Sequence, residues 1–299
     1  MSFAAGLKTI VVATDLNGQS EAALEYARKL ATHYGARIVL AHGLDPLDYA
    51  AVNGVPEGVL DTMSANARAA LDKLAGDLLS QGIHSHSEIR QGTVAQTLVD
   101  VARQYDAGLI VLGTKGMEGA GPVVVGAVAE QLVRLAPCAV LAVAADWNAG
   151  QCRPTPGGPV LLALERNEAT AAAVATAYSL ATVFERPLLV LHARGAAEVA
   201  AFLNPPEIRL EDYGIRSGGP VQVHMLIKDG TPADVVPGAI AQHHPCILVA
   251  GVKRTSHLPG PHGTAFSLLA RSRVPVLCVP PELAPDRIEH EALIPLETA

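Results

Sequence analysis

The sequence is poor in charge, in basic residues and in long apolar runs. Only 17% of its 299 residues are charged, and 22 Lys and Arg against 29 Asp and Glu leave a net charge of −7. Such a chain lacks the basic face that a nucleic-acid partner requires. No apolar run approaches the length needed to cross a bilayer. The N-terminal apolar stretch is short and ends at Asp15, unlike the core of a signal peptide. We therefore expect a cytoplasmic protein without nucleic-acid or membrane partners.

Cysteine is also scarce, which limits covalent and metal chemistry. The chain has four cysteines, Cys138, Cys152, Cys246 and Cys278. They form no CxxC pair, and three of the four lie in or beside apolar runs. This pattern predicts buried, reduced thiols. In contrast, 49% of the residues are hydrophobic, which is ample material for a core.

The chain repeats itself. The segment that begins TIVVATDLNGQSEAALEYA matches PVLLALERNEATAAAVATA in register, so that Asp15 aligns with Glu165 and His42 with His192. Further along, Gly92 corresponds to Gly230, LIVLGTKG to ILVAGVKR, and CAVLAV to VPVLCV. The repeat predicts one structural unit used twice.

Within each unit, short apolar runs rich in β-branched residues alternate with helical patterns. Runs such as IVVA and LIVLG lack polar alternation, as is typical of parallel strands buried on both faces. One predicted helix starts at Ser20, which we expect to cap it, and ends at Gly35. A second runs from Met63 to Gly82 and is shortened in the second unit. The predicted fold class is α/β, with two tandem, open, mainly parallel five-stranded sheets and helices on both faces.

The predicted domain organisation follows the repeat. Residues 1–145 form the first domain and 159–282 the second, with a linker at 146–158 that is rich in Pro, Gly and polar residues. The tail, 283–299, has no strong periodicity and is expected to be peripheral.

Three features of the first unit converge on one predicted site. In an open α/β sheet, ligands bind beyond the carboxyl ends of the strands, where the strand order reverses. Asp15 ends the first strand, Ala41 ends the second, and a glycine-rich loop from Gly113 to Gly126 follows the fourth. Glycines let the backbone approach a phosphate closely, and the helix after Gly126 would point free N–H groups at it.

Together these features resemble the universal stress protein family in a tandem, two-domain form. The family's nucleotide-binding members have a glycine, two residues, a second glycine, nine residues, and a glycine followed by Ser or Thr. Gly113, Gly116 and Gly126 match this spacing, whereas Ala127 lacks the hydroxyl. The resemblance covers the chain from about Lys8 to Pro280.

The resemblance implies an adenine-nucleotide site, with ATP and its Mg²⁺, and no other metal. Asp15 would bind the nucleoside, Ala13 and Ala41 would line the adenine pocket, and the phosphates would lie over the loop glycines Gly113, Gly116 and Gly126 and the amides of Ala127 and Val128. The missing hydroxyl at Ala127, and a second at Ala129, would weaken binding, the first by about 1–3 kcal/mol. The resemblance further implies that AVLAV and VPVLCV pair edge to edge as an intramolecular pseudo-dimer, and it allows a homodimer and an unknown protein partner.

The second unit has departed further from the motif. It keeps Gly251, Gly263 and the hydroxyl of Thr264, but Glu165 replaces the aspartate and Arg254 replaces the second glycine. We expect Arg254 to fill or close the cavity, which makes this half mainly a structural partner with a degenerate site.

Three functional hypotheses follow. The first is a non-enzymatic, ATP-binding regulator of the stress response, because no side chain offers a convincing general base. The second is an interaction module that binds no nucleotide. The third is an enzyme or carrier that binds a small anion or metal through Arg254, His257 and His262.

Overall fold

The computed structural model describes most of the chain, and all structural statements concern these residues: 7–16, 18, 20–44, 59–114, 126–145, 158–196, 199, 210–213, 219–253, 264–272 and 274–283. The linker residues 146–157 and the tail beyond Leu283 lie outside them. The predicted domain boundaries at 145, 158 and 282 therefore stay predictions.

The first half consists of alternating strands and helices. Its strands are β1 (Thr9–Ala13), β2 (Arg37–Leu44), β3 (Ser85–Gln91), β4 (Leu109–Thr114) and β5 (Ala139–Ala144). Its helices are α1 (Glu21–Tyr34), α2 (Val59–Ser80), α3 (Val94–Gln104) and α4 (Ala127–Leu135). The helix predicted from Met63 is thus correct in type and begins four residues earlier, at Val59.

The second half repeats this order. Its strands are β6 (Val160–Leu164), β7 (Leu188–Arg194), β8 (Val223–Asp229), β9 (Ile247–Gly251) and β10 (Val276–Val279). Its α-helices are α5 (Thr170–Val183), α6 (Pro232–His243) and α7 (Thr264–Arg271), and short 3-10 turns lie at Leu210–Tyr213 and Pro281–Leu283.

The ten strands form one continuous sheet in the order β3-β2-β1-β4-β5-β10-β9-β6-β7-β8. Neighbouring strands within each half are parallel, and the junction between β5 and β10 is antiparallel. At this junction Leu141 lies opposite Leu277. The predicted α/β class is confirmed, and the two five-stranded halves are joined edge to edge through the AVLAV and VPVLCV runs.

Helices cover both faces of the sheet, as the apolar runs predicted. Along β1, Ile10 and Val12 pack against the face that carries α1, α2 and α5, whereas Val11 packs against the face that carries α3, α4, α6 and α7. All three side chains are fully buried. A strand buried on both faces has no position for polar alternation, which explains the unbroken β-branched runs.

The duplication extends to unusual backbone angles. Gly92 and Gly230 follow β3 and β8 with φ of 134° and 132°, a region open mainly to glycine. Asp106 and His244, which follow α3 and α6, have φ of 47° and 45°. Positive φ angles at equivalent positions of the two halves support the predicted repeat.

Of the described cysteines, Cys138 and Cys278 are buried and Cys246 is half-buried, and none of the three forms a disulfide. Burial raises the pKa of the Cys278 thiol to about 12, which makes it unreactive at neutral pH.

In the described part of the chain, no helix combines the length and the apolar character that crossing a membrane requires.

Candidate functional site

The strand order places the candidate site at a reversal of the chain path. From β1 the chain moves outward to β2 and β3, then returns to the other side of β1 to form β4. A crevice opens at such a point because the two connections leave the sheet in opposite directions. Asp15 follows β1 and Gly113 lies near the end of β4, so they flank this reversal.

Ala13 and Ala41 lie side by side at the carboxyl edge. They are paired in the β1–β2 register, and the Thr14 N–H donates to the Ala41 carbonyl at 3.0 Å. Both methyl groups lie on the sheet face that carries α4. Ala41 is buried in the core and Ala13 is half-buried, so Ala13 is the one of the two that is partly accessible at this edge.

A hydrogen-bond network orients Asp15. Ser20 Oγ donates to Asp15 Oδ1 at 2.9 Å and lies 3.1 Å from Thr14 Oγ1. The Leu16 N–H donates to Thr14 Oγ1 at 3.2 Å, and Leu16 has a φ of 58°. The carboxylate is half-buried and held by a buried serine, which restricts its rotamers.

The prediction that the side chain of Ser20 caps α1 is wrong. Ser20 occupies the N-cap position, but its side chain makes no capping hydrogen bond. Its φ of −89° and ψ of 0° are not the extended angles of a capping serine. The hydroxyl instead donates to Asp15, five positions earlier in the chain, a role that the sequence did not reveal. Gly35 ends the helix as predicted, with a φ of 64°.

His42 supports the same loop. Its Nδ1 lies 2.8 Å from the Thr14 carbonyl oxygen, so Nδ1 carries the proton and donates. His42 is thus a strand-end residue with a structural partner. Its counterpart His192 is 5% exposed.

The glycine-rich loop is described only at its two ends. Gly113 lies on β4, whereas Gly116 falls within residues 115–125, outside the described residues. Gly126 is exposed and precedes α4, which begins at Ala127 as predicted. The first helical bond runs from the Glu130 N–H to the Gly126 carbonyl at 3.2 Å. The N–H groups of the first turn of α4 therefore point out of the helix end.

Among the described residues, nothing crowds Gly126. Its φ of −60° is accessible to any residue, and a Cβ built there would meet no described atom within 4 Å. Neither strain nor packing within the described chain accounts for glycine at this position.

The two alanines of the helix start differ in environment. Ala127 is exposed, whereas Ala129 is 2% exposed and packs in the core. A hydroxyl at residue 127 would reach the crevice edge, but one at residue 129 would be buried. The missing hydroxyl at Ala129 thus follows from core packing.

The second half has an ion pair at the equivalent edge. Lys253 Nζ lies 2.6 Å from Glu165 Oε1, and the two side chains are 48% and 30% exposed. Lys253 was missed in the sequence analysis, although it directly precedes Arg254 and aligns with Lys115. A pair this exposed adds little stability, but it occupies the carboxylate that corresponds to Asp15. Arg254 and Gly263 lie outside the described residues, so the predicted closure by Arg254 stays a prediction.

Gly251 and Thr264 mark the ends of the second loop. A Cβ on Gly251 would lie 3.1 Å from the Ala169 Cβ, so close packing against the start of α5 explains this glycine. Thr264 is half-buried and begins α7.

Among the residues that the structure describes, no three His, Cys, Asp or Glu side chains are grouped so that they could hold a metal ion. His257 and His262, proposed above as anion or metal ligands, lie outside this part of the chain.

The sequence is similar to those of several known proteins. Residues 6–144 match the model of the universal stress protein family. A universal stress protein of Mycolicibacterium smegmatis is 31% identical over 193 residues, which cover 61% of this chain and 63% of that protein. The chain thus spans less than two thirds of that relative's length. A universal stress protein of Methanocaldococcus jannaschii is 29% identical over 138 residues, covering 46% of this chain and 81% of the relative.

Among solved structures, a universal stress protein from Archaeoglobus fulgidus is similar over 91% of this chain and 98% of its own, with a TM-score of 0.74 and 18% identity. The similarity in fold therefore includes both halves of this chain.

Proposed function

We propose that the first half of the chain, of which residues 6–144 match the model of the universal stress protein family, binds an adenine nucleotide, ATP, at the crevice between β1 and β4. The proposal rests on one arrangement: an oriented carboxylate, two adjacent alanines and a helix N-terminus all lie at the edge of the sheet where the strand order reverses. The carboxylate is Asp15, the alanines are Ala13 and Ala41, and the helix starts at Gly126.

The chemistry of these groups fits the parts of a nucleotide. Asp15 is an acceptor for a ribose hydroxyl, and the half-buried methyl group of Ala13, beside the buried Ala41, would contact a flat base. The N–H groups of Ala127 and Val128 and the helix dipole favour the negative phosphates. No described atom lies within 4 Å of a Cβ built at Gly126, which favours the approach of an anion to the backbone there. ATP would carry Mg²⁺ into this site.

The proposed role is regulatory rather than enzymatic. The helix that starts at the phosphate side, α4, ends beside the second half, where the Arg134 guanidinium lies 5.1 Å from the centre of the Phe266 ring on α7. A nucleotide bound at the start of α4 would therefore act through this helix on the surface that both halves form. Binding of a protein partner at that surface would change. The second half serves mainly as a structural partner, and we place this activity in the cytoplasm.

Calorimetric titration of the full chain with ATP, ADP and AMP, each with Mg²⁺, tests the proposal. Wild-type protein is expected to bind one nucleotide per chain. Gly126→Ala is expected to weaken binding without changing the denaturation midpoint, because its Cβ meets no atom of the described residues but occupies the space above the backbone. Gly116→Arg, which copies Arg254, is expected to abolish binding.

Gly195→Ala is the matched control. A Cβ at Gly195 also meets nothing within 4 Å, and the residue follows β7 in the second half. The affinity of Gly195→Ala for ATP should equal that of the wild type. Failure of the wild type to bind any of the three nucleotides at millimolar concentration would favour an interaction module without nucleotide.

Ala127→Ser is expected to raise the affinity for ATP about tenfold. The added hydroxyl stands at the exposed first residue of α4 and supplies a side-chain hydrogen bond worth about 1–1.5 kcal/mol. Ala129→Ser is the control, since its hydroxyl would be buried and should lower stability without raising affinity. Equal affinities of wild type and Ala127→Ser would place the phosphates elsewhere.

A further inference from the structure

The sheet ends in two edge strands, β3 and β8, which hold equivalent positions in the two halves. Their registers match, since Ser85 pairs with the start of β2 as Val223 pairs with the start of β7. On one face, the residues of β3 and their β8 counterparts are Ser85 and Val223, Ser87 and Met225, Ile89 and Ile227.

In the first half this face is covered. Ser85 Oγ donates to the Ala75 carbonyl of α2 at 3.1 Å, and Ser87 is 8% exposed. The opposite face of β3 carries Glu88, which accepts from Tyr105 Oη at 2.5 Å and lies 3.3 Å from His86 Nε2. Charged and covered edges resist pairing with another strand.

Among the residues that the structure describes, the equivalent face of β8 is apolar and is exposed at its centre, Met225. Met225 is 43% exposed where its counterpart Ser87 is 8% exposed. Val223 and Ile227, on either side of Met225 along the same face, are half-buried. Three apolar side chains therefore line an edge strand whose counterpart is protected.

Among the described strands none lies beyond β8, and the backbone presents the same residues at that edge. The Leu188 N–H donates to the Gln222 carbonyl at 2.8 Å, and the Gly230 N–H donates to the Arg194 carbonyl at 2.9 Å. In a parallel ladder alternate residues point their polar groups to the same neighbour. The even-numbered residues of β8 therefore face β7, and Val223, Met225 and Ile227 direct their N–H and C=O groups outward.

We propose that β8 pairs antiparallel with β8 of a second copy of this chain, across a two-fold axis at Met225. This register sets Met225 opposite its own equivalent and Val223 opposite Ile227, so the two apolar strips become one. Each of these pairs exchanges two main-chain hydrogen bonds. Lys228 then lies opposite Gln222, which avoids like charges.

A register centred on Leu226 is less favourable. It would place Val223 opposite Asp229 and His224 opposite Lys228, a mismatch of polarity and a pairing of basic side chains. Because a single seven-residue strand makes a small interface, the dimer is expected to be weak and concentration-dependent.

Analytical ultracentrifugation of the full chain over a wide concentration range tests the pairing. The wild type is expected to shift from the chain mass of 31.0 kDa to twice that mass. Met225→Arg sets two positive charges together at the axis and should lose the dimer at every concentration. His224→Arg, on the same strand but on the other face, should dimerise like the wild type. A wild type that stays monomeric, or a dimer that persists in Met225→Arg, overturns the proposal.

Two further measurements keep the test independent of how Met225→Arg folds. Amide exchange at Val223, Met225 and Ile227 should slow as concentration rises, whereas His224, Leu226 and Lys228 stay protected by β7 throughout. Met225→Cys should form an intermolecular disulfide on oxidation, because directly opposed Cα atoms lie about 5.5 Å apart, whereas His224→Cys should not. Protection at Met225 that is independent of concentration would mean that the same chain covers the strand, which also contradicts the proposal.

Discussion

Asp15→Ala is expected to weaken ATP binding roughly ten- to a hundredfold. A hydrogen bond to a charged acceptor contributes about 1.5–3 kcal/mol, and each 1.4 kcal/mol or so changes affinity tenfold. The loss should appear in the dissociation constant measured by calorimetry. The fold should remain intact, because Ser20 Oγ keeps its contact with Thr14 Oγ1 when the carboxylate is removed.

The matched control is Glu165→Ala, the equivalent change in the second half. Glu165 is paired with Lys253, so its removal should leave both the affinity and the stoichiometry of one nucleotide per chain unchanged. If Asp15→Ala binds ATP as tightly as the wild type, Asp15 has no role in recognition. If Glu165→Ala alone weakens binding, the nucleotide lies in the second half.

Leu141→Ala and Leu277→Ala are each expected to lower the free energy of unfolding by about 2–5 kcal/mol, the usual cost of removing a buried leucine. The two side chains are no more than 1% exposed and lie opposite each other where β5 meets β10. Since they share this contact, the double variant should lose less than the two separate losses combined. Urea denaturation followed by circular dichroism measures these differences.

Leu135→Ala is the control for this experiment. Leu135 ends α4 and is 46% exposed, so its loss should cost less than about 0.5 kcal/mol. Both junction variants should shift one common transition, because the core runs through the junction. Two separate transitions, each moved by only one of the variants, would show that the halves unfold independently.

The elements of the fold could be predicted because their signals are local. Unbroken apolar runs identify strands buried on both faces, and Gly35 has the left-handed φ that ends a helix. The internal repeat then predicts the second half from the first. The start of α4 at Ala127 also follows from local pattern, since Gly126 precedes an amphipathic run.

The contacts at the candidate site could not be predicted in the same way. Ser20 satisfies the rules for a helix cap, and only the path of the β1–α1 loop brings its hydroxyl to Asp15. Lys253 stands next to Arg254, and no sequence rule states which of two adjacent cations reaches Glu165. Such choices depend on where the backbone places side chains that are distant along the chain.

The junction between β5 and β10 has a consequence for synthesis on the ribosome. The first half can fold once β5 has emerged, yet the partner of β5 is β10, the last described strand along the chain. Val140 on β5 pairs with Cys278 on β10, far along the chain. The edge of β5 therefore has no strand partner while nearly all of the second half is being made. An open apolar edge invites wrong pairing. The nascent chain is thus most vulnerable to aggregation in the interval before residues 276–279 arrive.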